Sequence, residues 1–165
     1  MKAVVQRVRW AEVEVGGRVV GRIERGLLVY AGVAVGDTLQ EARRLADKVA
    51  NLRIFEDDLG KLNLSVQDAR GGVLAVSNFT LLADARKGRR PAFVAAAAKE
   101  AAAPVFEGFV GALRAAGLDV QQGVFGATMH IRSEADGPVN ILLDMPAGGP
   151  QGSGPAGDGP GPPEA

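Results

Sequence analysis

"GLLVYAGVAVGDTLQEARRLADKVANL", residues 26–52, changes its periodicity part-way, and that change decides the fold class. The opening "GLLVYAGV" is an unbroken apolar run, which predicts a central strand covered on both faces. From Asp37 the pattern becomes helical. Asp37 or Thr38 can serve as N-cap, and Thr38 and Glu41 have the spacing of a capping box. Leu39, Ala42, Leu45, Ala46, Val49 and Leu52 then fall on one apolar stripe, with Arg43, Arg44, Asp47 and Lys48 elsewhere.

Upstream, "AVVQRV" at 3–8 reads as a short strand, and "AEVEVGGRVVGRIE" at 11–24 reads as a hairpin turning at Gly16-Gly17. Downstream, "RIFED" and "GVLAVSNFTLLA" at 72–83 read as strands, with "DDLGK" and "ARGG" as turns. A second, Ala-rich helix is expected within 95–116; Pro104 either starts its main part or kinks it, and Gly117 is a plausible stop. "LDVQQGVFG" and "TMHIRSEADGPVNILLD" complete the pattern as strands. The order β-β-β-α-β-β-α-β-β predicts an α+β fold, with a mixed or antiparallel sheet packed with two main helices.

The chain has 165 residues, 47% of them hydrophobic, which suits one domain with a substantial core. Residues 146–165 are Gly/Pro-rich, with no aliphatic side chain larger than Ala, so a disordered tail is expected after a folded domain at 1–145. No apolar run approaches membrane-spanning length, and "MKAVVQRVRW" lacks the apolar core of a signal peptide; a soluble cytoplasmic protein with no membrane partner is expected. The absence of cysteine excludes disulfides, thiolate nucleophiles and Cys-ligated zinc. Net charge is zero, with 19 basic and 19 acidic residues, which argues against a broad nucleic-acid-binding surface, and no DNA partner is expected.

The single histidine, His130, limits hydrolytic mechanisms. A Ser/Thr-His-Asp triad would pair it with Ser77 or Thr80, yet neither lies in a Gly-x-Ser-x-Gly elbow. One His with scattered carboxylates offers no metal-ligand spacing, and no glycine-rich phosphate signature is present, so no cofactor is expected. "SNFTL" at 77–81 could be ordinary turn chemistry, or could receive a developing oxyanion. "RKGRRP" puts Arg86, Lys87, Arg89 and Arg90 in one loop, either a solvated surface or a contact for phosphates. "KEAAA" at 99–103 reads as plain helix surface. Gly137-Pro138 interrupts the last strand, where proline cannot donate to the ladder.

Taken together, "VVQRV", "GLLVYAGV", "RIFEDDLGKLNLSV", "GGVLAVSNFTLLAD", "GRRPAF" and "DGPVNILLD" occur in an order and at separations that resemble the D-aminoacyl-tRNA deacylase family, over residues 1 to about 144. The family's Ser-Gln-Phe-Thr segment corresponds to Ser77, Asn78, Phe79 and Thr80, with Asn replacing Gln. Its Asn-x-Gly-Pro-Val-Thr segment corresponds to residues 135–140, where Ala135 and Asn140 depart from the pattern and Gly137-Pro138 is kept.

The resemblance implies a homodimeric hydrolase that cleaves D-aminoacyl-tRNA, and glycine mischarged on tRNA, as proofreading of translation substrates. It implies that Gly137-Pro138 is cis and enters the partner's active site as a wall that an L-side chain would strike. It also implies that Arg7 helps to hold the partner's Gly-Pro loop. Ser77, Asn78 and Phe79 would line the adenosine and ester pocket, with backbone amides as oxyanion donors and Thr80 in a positioning role. Residues 86–90 become a candidate tRNA contact. Two other readings are a relative with a trans Gly-Pro bond that edits small L-aminoacyl-tRNA, and a non-catalytic tRNA-binding dimer.

Overall fold

The computed structural model describes residues 1–86 and 88–148 of a single chain. The expected tail therefore lies outside the described residues from position 149 onward. The fold is α+β with a mixed sheet and two helices, in the order β1 (Lys2–Val15), β2 (Arg18–Ile23), β3 (Gly26–Gly32), α1 (Leu39–Asn51), β4 (Phe55–Glu56), β5 (Leu62–Leu64), β6 (Gly72–Ser77), α2 (Lys99–Ala115), β7 (Val120–Gln122) and β8 (His130–Asp144).

The two segments read separately at 3–8 and 11–15 form one continuous strand. Its first half pairs antiparallel with β3, its second half with β2, and β8 runs along the other side of both. No Gly or Pro interrupts residues 2–15, so nothing stops the chain from remaining extended. Gly16 and Gly17 carry φ of 57° and 80°, the two positive values a type I′ hairpin turn needs, and they join Val15 to its partner Arg18. β3, β6 and β7 continue the sheet in parallel. The "DDLGK" turn closes a small hairpin onto β5, a strand of three residues, too short to be evident in the pattern.

α1 begins at Thr38, whose hydroxyl accepts from the Gln40 N–H while the Glu41 carboxylate accepts from the Thr38 N–H. Asp37 is occupied otherwise, accepting from the Ala34 N–H and lying 2.7 Å from the Met1 amino group. In α2, Pro104 lies inside the helix, where its missing N–H leaves the Glu100 carbonyl without the usual intrahelical bond. Gly117 follows the final turn, as expected.

Both helices cover one face of the sheet. Leu45 and Val49 of α1, with Phe106, Phe109 and Leu113 of α2, pack over Val5, Leu27, Val29 and Val73. On the opposite face, Val13 and Ile23 curl back over Leu28 and Leu74, so the sheet itself buries the other side of β3. Both faces of β3 are thus covered, one by helices and one by strands.

The reading of 72–83 as a single strand needs correction. The strand stops at Ser77, and Phe79–Leu82 form a 3-10 turn. Asn78 causes the break: its side-chain oxygen accepts the Thr80 N–H at 3.1 Å, offering a local bond that competes with the ladder.

Candidate active site

The parallel strands β3 and β6 end side by side, with Ala31 paired to Ser77, and the Asn78 N–H donates to the Ala31 carbonyl at 2.8 Å. A cavity of about 570 Å³ opens at these carboxyl ends, a place where parallel sheets often hold ligands. Ser77, Asn78 and Phe79 all line it. Phe79 is 57% exposed and packs edge-on against Phe93, with ring centroids 5.0 Å apart, so a large aromatic face stands at the surface.

Thr80 is absent from the cavity wall. Its hydroxyl donates to the Asn78 side-chain oxygen, which also holds the Thr80 N–H. This doubly engaged oxygen fixes the Asn78 side chain at the cavity wall. The Asn78 backbone N–H is already used by Ala31, whereas the Phe79 N–H opens the 3-10 turn and has no intrahelical acceptor. Of the backbone groups expected to receive an oxyanion, Phe79 is therefore the better placed.

The remaining wall is mostly apolar. Val76, Phe125, Met129 and Ile131 contribute to it, together with the Tyr30 ring, whose hydroxyl pKa is raised by burial. His130, exposed at the start of β8, is not part of the wall although its neighbours Met129 and Ile131 are; strand alternation turns it away. Among the described residues no cluster of His, Asp or Glu has the makings of a metal site.

Gly137 and Pro138 lie outside the cavity of their own chain. Across the β1–β8 pairing, Gln6 faces Asn140 and Val8 faces Ala135, so four residues of β8 stand opposite Arg7 alone. The Gly-Pro pair thus occupies an excursion where no ladder bond is required of proline. The Gly137–Pro138 bond is cis. Gly137 has φ of +126°, and a Cβ there would lie 2.7 Å from the Val139 nitrogen.

Arg7, only 5% exposed, stands behind this excursion. Its Nη1 donates to the Ile54 carbonyl at 2.8 Å, and its Nε lies 3.1 Å from an Asp136 carboxylate oxygen. Within one chain, Arg7 therefore braces the chain's own loop. In the basic loop, Arg86 is neutralised by Asp84 through bonds of 2.6 and 2.9 Å, while Arg89 and Arg90 are exposed; Lys87 lies outside the described residues.

The family profile described as D-Tyr-tRNA(Tyr) deacylase matches residues 4–144. The chain belongs to that family. A D-aminoacyl-tRNA deacylase of Anaeromyxobacter dehalogenans (strain 2CP-C) is 58% identical over 144 residues, covering 87% of this chain and 97% of the relative. One from Thermus aquaticus is 51% identical over 144 residues, 87% of this chain and 95% of its own. Among solved structures, one described as c-Myc DNA Unwinding Element Binding Protein superposes with a TM-score of 0.84 at 42% identity, covering 89% of this chain and all of the other. A probable eukaryotic D-amino acid tRNA deacylase, at 20% identity and a TM-score of 0.77, covers 87% of this chain and 98% of its own and shares the fold. Membership of this deacylase family makes the protein a hydrolase of the aminoacyl-tRNA ester bond.

Tyr30, Lys99, Phe125 and Met129 line the cavity without having been singled out in the sequence. They come from three distant parts of the chain, and only the meeting of strand ends with the start of α2 brings them together.

Proposed function

We propose that this deacylase removes D-amino acids, and glycine, from mischarged tRNA, working in the cytoplasm as a homodimer whose Gly137-Pro138 excursions reach into each other's cavities. The observation that carries the reading is the wall formed by Ser77, Asn78 and Phe79: a fixed amide side chain, an exposed aromatic face and an open backbone N–H at the end of one strand. An aminoacyl ester is already activated, so positioning and oxyanion stabilisation suffice for catalysis.

In this mechanism the adenine packs against Phe79 and the ester carbonyl points toward the Phe79 N–H. Water, aided by the 2′-hydroxyl of the terminal ribose, adds to the carbonyl carbon. The tetrahedral oxyanion then collapses, expelling the ribose 3′-oxygen, which takes up a proton and leaves free tRNA and the amino acid. The Gly137-Pro138 backbone of the partner occupies the space that an L-side chain would need. Chirality is thus read by exclusion, and glycine, having no side chain, is admitted. The exposed Arg89 and Arg90 would meet the tRNA backbone in this reading.

Paired deacylation time courses on one tRNA carrying D-tyrosine or L-tyrosine test the reading. Rapid loss of the D-ester alone supports it. Loss of small L-esters instead would favour editing of L-aminoacyl-tRNA, and tRNA binding without turnover would make the protein a non-catalytic binder.

A further inference from the structure

Among the described residues the cavity wall contains one charged side chain, that of Lys99, the exposed first residue of α2. Its stem lies over Gly126, where an added Cβ would stand 3.0 Å from Lys99 Cε and 3.2 Å from Nζ. The bare backbone at Gly126 lets the ammonium group settle against the wall. Among the described residues Lys99 enters no ion pair.

The position is a poor one for helix stability. A cation at the first residue opposes the helix dipole and Ala98 supplies no side-chain cap, so only Glu100 in the same turn offsets the cost. A ligand anion would reverse the sign of that penalty.

The aminoacyl end of the substrate carries charge at two places. The α-amino group is cationic when protonated and would be repelled by Lys99; the phosphodiester 5′ to the terminal adenosine is anionic and would be attracted. We infer that Lys99 binds this phosphate and so sets which way round the aminoacyl-nucleotide enters, with phosphate at the α2 edge and the ester at Ser77–Phe79. The inference rests on the reaction proposed above and adds the group that orients its substrate.

The experiment uses D-tyrosine esterified to the 3′-oxygen of adenosine, and the same ester on adenosine 5′-methylphosphate, with D-tyrosyl-tRNA as the activity control. The wild-type protein is expected to prefer the phosphate-bearing ester by roughly tenfold in kcat/KM, mostly through KM. In K99A that ratio falls to about one, and K99R restores it. K99E loses the preference while raising the thermal midpoint, which separates the effect from loss of folding. A phosphate preference that persists in K99A, or is absent from a wild-type protein active on D-tyrosyl-tRNA, overturns the inference. A wild-type protein that hydrolyses none of the three esters overturns the deacylase reading beneath it.

Discussion

The Nε of Arg7 lies 3.1 Å from a carboxylate oxygen of Asp136, which ties a buried residue of β1 to the base of the Gly137-Pro138 excursion in β8. Replacing Arg7 with Ala would strand the Ile54 carbonyl and leave Asp136 without its nearest cation, at an expected cost of about 2–4 kcal/mol in urea denaturation. Arg7→Lys should recover only part of this, because one ammonium cannot reproduce the guanidinium's divided reach. In the deacylation assay both variants should hydrolyse the L-ester faster relative to the D-ester than the wild type does. An unchanged D/L ratio in a folded Arg7→Lys protein would separate the brace from chiral selection.

Gly137→Ala places a Cβ 2.7 Å from the Val139 nitrogen at a φ of +126°, so the excursion must change shape. The expected loss is about 1–3 kcal/mol of stability, with weakened rejection of L-tyrosyl-tRNA. Denaturation curves and paired time courses read the two effects separately.

Thr80 divides two mechanisms. If its hydroxyl serves only to hold Asn78, Thr80→Val should reduce kcat/KM by roughly tenfold or less; removing a covalent nucleophile would cost at least ~10⁴-fold. Asn78→Ala should cost more activity than Thr80→Val and about 1 kcal/mol of stability, since it removes the cap as well as the pocket amide. Single-turnover deacylation of a D-ester by the two variants gives the comparison.

Acid should weaken the fold through Glu41. Its carboxylate accepts from the Thr38 hydroxyl and the Thr38 backbone N–H, which together lower its pKa from 4.5 to about 2. Because the folded value is the lower one, the stabilisation is complete above the unfolded pKa and is lost as pH falls from about 4.5 toward 2. Glu41→Gln should be less stable at pH 7 and lose less on acidification than the wild type. Urea midpoints at pH 7 and pH 3 provide the check.

The features legible in the sequence share a physical character: each is a local rule satisfied locally. Gly16-Gly17 marked its turn because both positions require positive φ, and Thr38 with Glu41 marked a helix start because the capping bonds span three residues. β3 was recognisable as central from its unbroken apolar run. What was obscured depends on competition or distance. Asn78 reads equally well as a strand end or a cap until the Thr80 N–H is seen to choose it. Ser77–Phe79 were found through their motif. Lys99 looked like helix surface because nothing nearby in the chain reveals that the start of α2 backs onto the ends of β3 and β6.

The excursion opposite Arg7 also uncouples the two ends of β8. Ile141–Leu143 take their alignment from Val5–Ala3, and Ile131–Glu134 take theirs from Val13–Trp10, with residues 136–139 lying in between. A one-residue slip in an uninterrupted strand would turn every side chain beyond it to the wrong face. Here, the segment at 136–139 can gain or lose a residue while both flanking ladders keep their facing, so selection can remodel the reach of the loop without rebuilding the sheet that carries it.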